Sequence, residues 1–268
     1  MTALPEETLS TESVLVRADA GGIARLTLNR PGNYNSLSED MLDSLQTELD
    51  AIAKDESVRV VILAAAGPAF CAGHDLKEMR ARPEREYYEL LFKKCSRMML
   101  SMVRLPQPII ARVHGVATAS GCQLVANSDL AVAASNARFG TSGINVGLFC
   151  MTPRVAVTRN VQRKKAFEML FTGELLSAEE ALEAGLVNKV VPLEEIDGAL
   201  EGLCRSILGK SQAAVEAGKR VFYQQLEMNL ESAYMLASEE MARNMMFRDA
   251  GEGIDAFIGK RKPVWLHK

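Results

Sequence analysis

Two stretches of this chain could do chemistry without a reactive side chain. One is Phe70-Cys71-Ala72-Gly73-His74-Asp75-Leu76, and the other is the run HGVATASGCQL from His114 to Leu124. Each follows an apolar run, passes through small residues and leads toward a helix. The first N–H groups of a helix have no partner within it and sit at the positive end of its dipole. They can hold an oxygen that is negative or becomes so. If the two preceding strands are near neighbours in one parallel sheet, both turns open at the same edge, where α/β sheets bind ligands. One N–H from each turn could then converge on a carbonyl oxygen. That is an oxyanion hole made of main chain, suited to forming an enolate from a thioester. The same pattern also serves close strand-to-helix packing, and spacing alone leaves both open.

Other chemistries fit less well. Thr118-Ala119-Ser120-Gly121-Cys122 is not the G-x-S-x-G turn of a serine hydrolase. No glycine-rich loop ends in G-K-[ST], which disfavours a nucleotide-phosphate enzyme. The three histidines (His74, His114, His267) and five dispersed cysteines contain no C-x-x-C pair, so no metal site is expected. The odd cysteine number reads as reduced thiols. A net charge of −3 gives no footprint for nucleic acid. Arg163-Lys164-Lys165 is the one compact basic cluster in the middle of the chain, and it reads as a solvated helix start. No apolar run is long enough to span a bilayer. The acidic N-terminal stretch MTALPEETLSTES lacks a targeting pattern. A cytoplasmic protein with no membrane partner is expected.

The elements that must position the two stretches follow from patterning. Val14–Val16 and 23–28 flank Gly21-Gly22 as a hairpin. Ser38-Glu39-Asp40 starts a helix with Leu42, Leu45, Leu49 and Ile52 on one face. Residues 58–65 (VRVVILAA) and 109–113 read as parallel strands covered on both sides. A helix spans about 84–103, another begins near Cys122, and short strands lie at 129–134, 138–140 and 187–191. Helices at 194–208, 211–225, 229–246 and 253–259 fill the last third. An α/β body over 1–192 and a helical region over 193–268, packing at a subunit interface, are expected.

The quoted stretches resemble signatures of the crotonase, or enoyl-CoA hydratase/isomerase, superfamily. FCAGHDL is similar to its F-S-A-G-x-D-L/I motif, and HGVATASGCQL to its N/H-G-x-x-x-G-G-G-x-x-L motif. Further likeness runs through LTLNRPGNYNSLSEDM, DLAVAASNARFG, LFTGELLSAEEALEAGLVNKVVP and EGIDAFIGKRKPVW. The resemblance implies a ClpP/crotonase-like spiral of ββα units with a C-terminal helical region, assembled as a homotrimer or dimer of trimers. It implies an acyl-CoA thioester as ligand, with coenzyme A only as part of the substrate and no separate cofactor. By motif position, the N–H groups of Ala72 and Ser120 form the oxyanion hole. Ala72, Gly73, His74, Asp75 and Leu76 line the coenzyme A site, and Asn33 and Tyr34 lie on the pantetheine path.

The chain departs from that pattern at both hydratase glutamates. The position three residues beyond Ser120 is Gln123, and the F-G-x-x-E glutamate is replaced by Gly143. Glutamine does not exchange protons at neutral pH, and glycine has no side chain. Efficient hydration of 2-enoyl-CoA is therefore not expected. Gln123, His74, Asn145 and Cys150 are the candidates for replacing the lost groups. Some decarboxylase-like members also carry a histidine where His74 stands, and a non-catalytic acyl-CoA-binding protein is a further alternative.

Overall fold

The computed structural model describes Leu4 and residues 13–268; the rest of the N-terminal stretch read above lies outside these residues. The first elements described form a hairpin, β1 (Leu15–Ala20) and β2 (Ile23–Leu28), with Gly21 and Gly22 at positive φ in its turn. Helix α1 (Glu39–Ile52) follows, capped by Ser38, whose hydroxyl accepts the Met41 N–H. Then come β3 (Val60–Ala65), β4 (Ala69–Cys71), α2 (Leu76–Ala81) and α3 (Arg85–Arg104). The next unit is β5 (Ile109–Val113), β6 (Val116–Thr118) and α4 (Ser120–Asn127). After it run β7 (Leu130–Ala134), β8 (Arg138–Gly140), α5 (Pro153–Asn160), α6 (Arg163–Thr172), β9 (Leu176–Ser177), α7 (Ala178–Glu183) and β10 (Lys189–Val191). The last helices are α8 (Ile196–Leu208), α9 (Gln212–Leu226), α10 (Leu230–Met245) and α11 (Arg248–Ile258).

The strands divide between two sheets. The six-stranded sheet runs β1-β2-β3-β5-β7-β10, and the four-stranded sheet runs β4-β6-β8-β9. Each successive pair β3/β4, β5/β6 and β7/β8 places its first strand in the large sheet and its second in the small one. The pairs stack parallel to their predecessors. The repeat is thus a spiral of strand–strand–helix steps. The expectation that the strands before the two turns are near neighbours in one parallel sheet holds, since β3 pairs directly with β5. Each turn contains an extra three-residue strand, and those strands build the second sheet.

Burial follows the pleat. All six residues of β3 are buried. Val61, Leu63 and Ala65 join the main core beneath α1, α3 and α4, whereas Val60, Ile62 and Ala64 face a second core with Ile196, Leu200 and Cys204 of α8. Helix α8 therefore covers the sheet, and α9 follows it. Lys219 anchors α9 to the body. Its buried ammonium donates to the Met102 and Gln107 carbonyls and to Asp129, at 3.1, 3.0 and 2.7 Å. Large apolar side chains on α10 and α11, among them Tyr234, Met235, Phe257 and Ile258, remain exposed. No helix among the described residues is long and apolar enough to cross a membrane.

Candidate active site

The two small-residue turns meet face to face. Strands β4 and β6 pair in parallel. At Gly121 a β-carbon would collide with the Cys71 carbonyl oxygen. At Gly73, whose φ is +93, it would stand 2.8 Å from the Ala119 β-carbon and 3.2 Å from the Ser120 nitrogen. Only glycine permits either approach. His114 Nε2 lies 2.7 Å from the Gly67 carbonyl at the far end of the same seam. The sequence expectation that the turns share one edge holds, and glycines at 73 and 121 are the reason.

Ser120 is the first residue of α4, two residues before the expected helix start. Its predecessor Ala119 has φ 51 and ψ −121, an uncommon conformation for a residue with a side chain. The Ala119 N–H donates to the Gly140 carbonyl and the Gln123 N–H closes the first helical turn onto the Ala119 carbonyl, at 2.9 and 3.1 Å. The Ser120 N–H has no hydrogen-bond acceptor among the described residues.

On the facing turn, the expected donor is corrected. The Ala72 N–H donates to the Tyr34 carbonyl at 3.0 Å and so is already engaged. Leu37 forms a parallel bridge with His74, donating to the Gly73 carbonyl at 2.7 Å and accepting from the Asp75 N–H at 3.2 Å. In such a bridge the central residue's own N–H points away from the partner strand. The His74 N–H therefore faces away from Leu37, and it too has no acceptor among the described residues. The resemblance pointed to Ala72, whose N–H is engaged; the N–H left free on this turn is that of His74, two residues on.

The His74 ring stands edge-on to Phe92 at 5.4 Å, and among the described residues neither ring nitrogen meets a partner in good hydrogen-bond geometry, the nearby Leu37 carbonyl included. Burial pushes its pKa down to about 4, opposed weakly by the Leu37 carbonyl, so the ring is neutral at pH 7. Asp75 is occupied otherwise. Its side chain caps α2 through the Lys77 and Glu78 N–H groups and takes an ion pair from Arg30 at 3.2 Å. Burial raises its pKa, but the Glu78 N–H, Arg30 and the Lys77 N–H outweigh that and hold it below the usual carboxylate range. Asn33, Tyr34 and Leu76 are exposed beside this turn.

The remaining candidates separate. Gln123 lies one turn along α4 from Ser120, buried, with its side-chain oxygen unpartnered among the described residues. Gly143 and Cys150 come together: a β-carbon at Gly143 would lie 2.9 Å from the Cys150 sulfur. Burial raises the Cys150 pKa despite the Gly143 N–H, so it is a thiol and not a nucleophilic thiolate. Cys71 and Cys122, both flanking the site, are pushed up by burial to about 12. Asn145 is not brought to the site. It is exposed, and its amide donates to the Gly173 carbonyl at 3.2 Å. Two hydroxyls that sequence reasoning missed, Thr118 and Ser142, pair at 2.7 Å between the Ser120 turn and the Gly143 loop.

Comparison with known proteins agrees with this architecture. A family model described as enoyl-CoA hydratase/isomerase matches residues 18–268. The chain is 48% identical over 246 residues to the rat enoyl-CoA hydratase domain-containing protein 3, mitochondrial, covering 92% of this chain and 82% of the relative. A crystal structure of an enoyl-CoA hydratase from Mycobacterium smegmatis superposes with TM-score 0.94 at 57% identity, covering 95% of this chain and 99% of that one. The crystal structure of human enoyl-CoA hydratase domain-containing protein 3 gives TM-score 0.91 at 46% identity, covering 94% and 100%. The fold is the crotonase fold. These relatives also correct the cytoplasmic expectation, because the rat, mouse and human proteins are all named mitochondrial. Reduced thiols and the absence of a spanning segment do not select one reducing compartment over another.

Proposed function

This chain belongs to the enoyl-CoA hydratase/isomerase family, and we propose that it processes an acyl-CoA by stabilising a thioester enolate without the usual pair of glutamates. The observation that carries the reading is the pair of unspent main-chain donors. In this reading the His74 and Ser120 N–H groups hold the thioester oxygen, and negative charge builds on that oxygen as the enolate forms. Gly73, Asp75 and Leu76 line the coenzyme A path with Asn33 and Tyr34. Substrate is an acyl-CoA thioester, and the exposed faces of α10 and α11 pack in a homotrimer or dimer of trimers.

Hydration needs a group that gives a proton and one that takes it. Gln123 and Gly143 supply neither. Each lost acid–base group removes ~10² to 10⁴ in rate. The unpartnered Gln123 oxygen is a buried acceptor, which costs about 1–3 kcal/mol until a donor arrives. A bound ligand hydroxyl, amide or water would relieve it.

A second reading rests on the same two positions. With no carboxylate at 123 or 143, an acyl group that itself carries a carboxylate meets no repulsion from them. Loss of CO₂ from its α-carbon leaves the bonding electrons on that carbon, giving the enolate directly, and a proton from water completes the product. The neutral His74 ring would lie beside it.

The test is a mass-spectrometric screen of enoyl-, β-keto-, malonyl- and methylmalonyl-CoA with purified protein, alongside thermal melting. Any acyl-CoA that binds the folded chain raises Tm. Consumption of one substrate names the reaction. Binding without consumption leaves an acyl-CoA-binding protein, and crotonyl-CoA turnover at ordinary hydratase rates overturns the proposal.

A further inference from the structure

We infer that Asn35 is a positioning residue for the candidate oxyanion hole, acting through the main chain on either side of His74; the inference rests on the reading of that hole given above. Asn35 is fully buried and adopts a left-handed conformation, φ +52. Its side chain makes three hydrogen bonds, each 2.8 Å. Oδ1 accepts the Arg30 N–H, and Nδ2 donates to the Ala66 and Ala69 carbonyls. Those two carbonyls bracket the turn between β3 and β4. The side chain therefore clamps the loop 30–37 to the strand that leads into Ala72.

From that clamped loop come the contacts that orient the donor. Tyr34, also left-handed at φ +50, presents its carbonyl to the Ala72 N–H. Leu37 takes the Gly73 carbonyl and the Asp75 N–H. Arg30 reaches from the same loop to the Ser36 carbonyl at 2.9 Å and to Asp75, and the Ser36 hydroxyl donates to Asp75 at 3.2 Å. His74 thus has both neighbours fixed by loop 30–37, and its N–H direction follows from where Asn35 holds that loop. An oxyanion donor acts by being aimed before the charge appears, and displacement by about 1 Å costs on the order of 10² in rate. Asn35 touches no substrate in this account.

The test reads carbonyl polarisation, which a purely structural role would leave alone. The probe is butyryl-CoA carrying ¹³C at the thioester carbonyl, followed by difference infrared spectroscopy with affinity from calorimetry. In the wild type the carbonyl band moves to lower wavenumber on binding. Asn35→Gly accepts the left-handed backbone but lacks all three side-chain bonds. It should bind within about threefold of wild type yet lose about half or more of the band displacement. Lys219→Met, remote from the hole, controls for general loosening and should keep the displacement. Full displacement in Asn35→Gly, or equal loss in both variants, overturns the inference alone. No displacement in the wild type overturns the oxyanion reading and this inference with it. Should Asn35→Gly fail to fold, Asn35→Asp decides: it still accepts the Arg30 N–H but donates to neither Ala66 nor Ala69, so a partial loss supports the clamp and an unchanged band refutes it.

Discussion

The sulfur of Cys150 occupies the space that a side chain at Gly143 would need. An ideal β-carbon there would stand 2.9 Å from Sγ and 2.6 Å from the Leu148 carbonyl oxygen. A glycine at 143, where the proposed reading misses a glutamate, is therefore built into the packing of this loop. Gly143→Glu is expected to destabilise the chain by ~1–3 kcal/mol through overpacking, and to leave crotonyl-CoA hydration undetectable. Cys150→Ala in the same chain should recover part of the stability, since the Leu148 carbonyl still crowds the site. Urea midpoints for the single and double variants check this; a Gly143→Glu protein as stable as wild type would refute the packing argument.

Gln123→Glu tests the other position at which the proposed reading misses a carboxylate. It lies one helical turn from Ser120 and is buried. A single carboxylate there supplies one acid–base group, worth at most ~10² to 10⁴ over the parent rate. Its pKa should be raised by burial, so the gain in crotonyl-CoA hydration should follow a pH profile displaced above the usual carboxylate range. A flat profile, or no gain, would place Gln123 outside reach of the acyl group.

Parts of this arrangement are legible in the chain and parts are not. The strand β3 can be read because all its residues are apolar, and the helix starts at Ser38 and Ser177 because a hydroxyl precedes acidic residues. The facing turns announce themselves by their glycines and alanines. Strands β4 and β6 do not, since three residues carry no periodicity and their pairing is wholly tertiary. The choice between Ala72 and His74 as donor is equally hidden. It depends on which carbonyl Tyr34 and Leu37 present, a contact with a loop far back in the chain. The Asn35 clamp is invisible for the same reason: an asparagine in a turn usually bonds locally, and this one reaches Ala66 and Ala69. The fit of Cys150 against Gly143 is likewise set only by the fold of the intervening loop.

Lys219 gives a prediction about the helical region. It holds α9 to the body through the Met102 and Gln107 carbonyls and Asp129, and Asp129 also receives the Tyr223 hydroxyl and the Ile109 N–H. Burial lowers the Lys219 pKa, and the Asp129 carboxylate opposes that shift. Removing one partner of such a pair strands the other charge. Lys219→Met should cost about 3–5 kcal/mol in urea denaturation, whereas Lys219→Met with Asp129→Asn should cost less. Equal losses in the two would show that the charge left behind is not the cause.

His74 makes the stability of the chain depend on pH. Burial holds this imidazole near 4, against an ordinary value of 6.5. The unfolded chain therefore binds a proton between those values that the folded chain does not. The imidazole's contribution to stability is therefore fully present above about pH 6.5, declines as pH falls toward about 4, and is flat below. Its size is on the order of 3 kcal/mol. Asp75, held low by its N–H donors and Arg30, titrates beneath this window and is common to both proteins compared. Wild type and His74→Ala should therefore be measured by urea denaturation from about pH 7 to about pH 4.5. Across that range wild type should lose stability relative to the variant. A difference that does not change with pH would mean that His74 is solvated or paired in the folded protein, and not the neutral ring packed against Phe92.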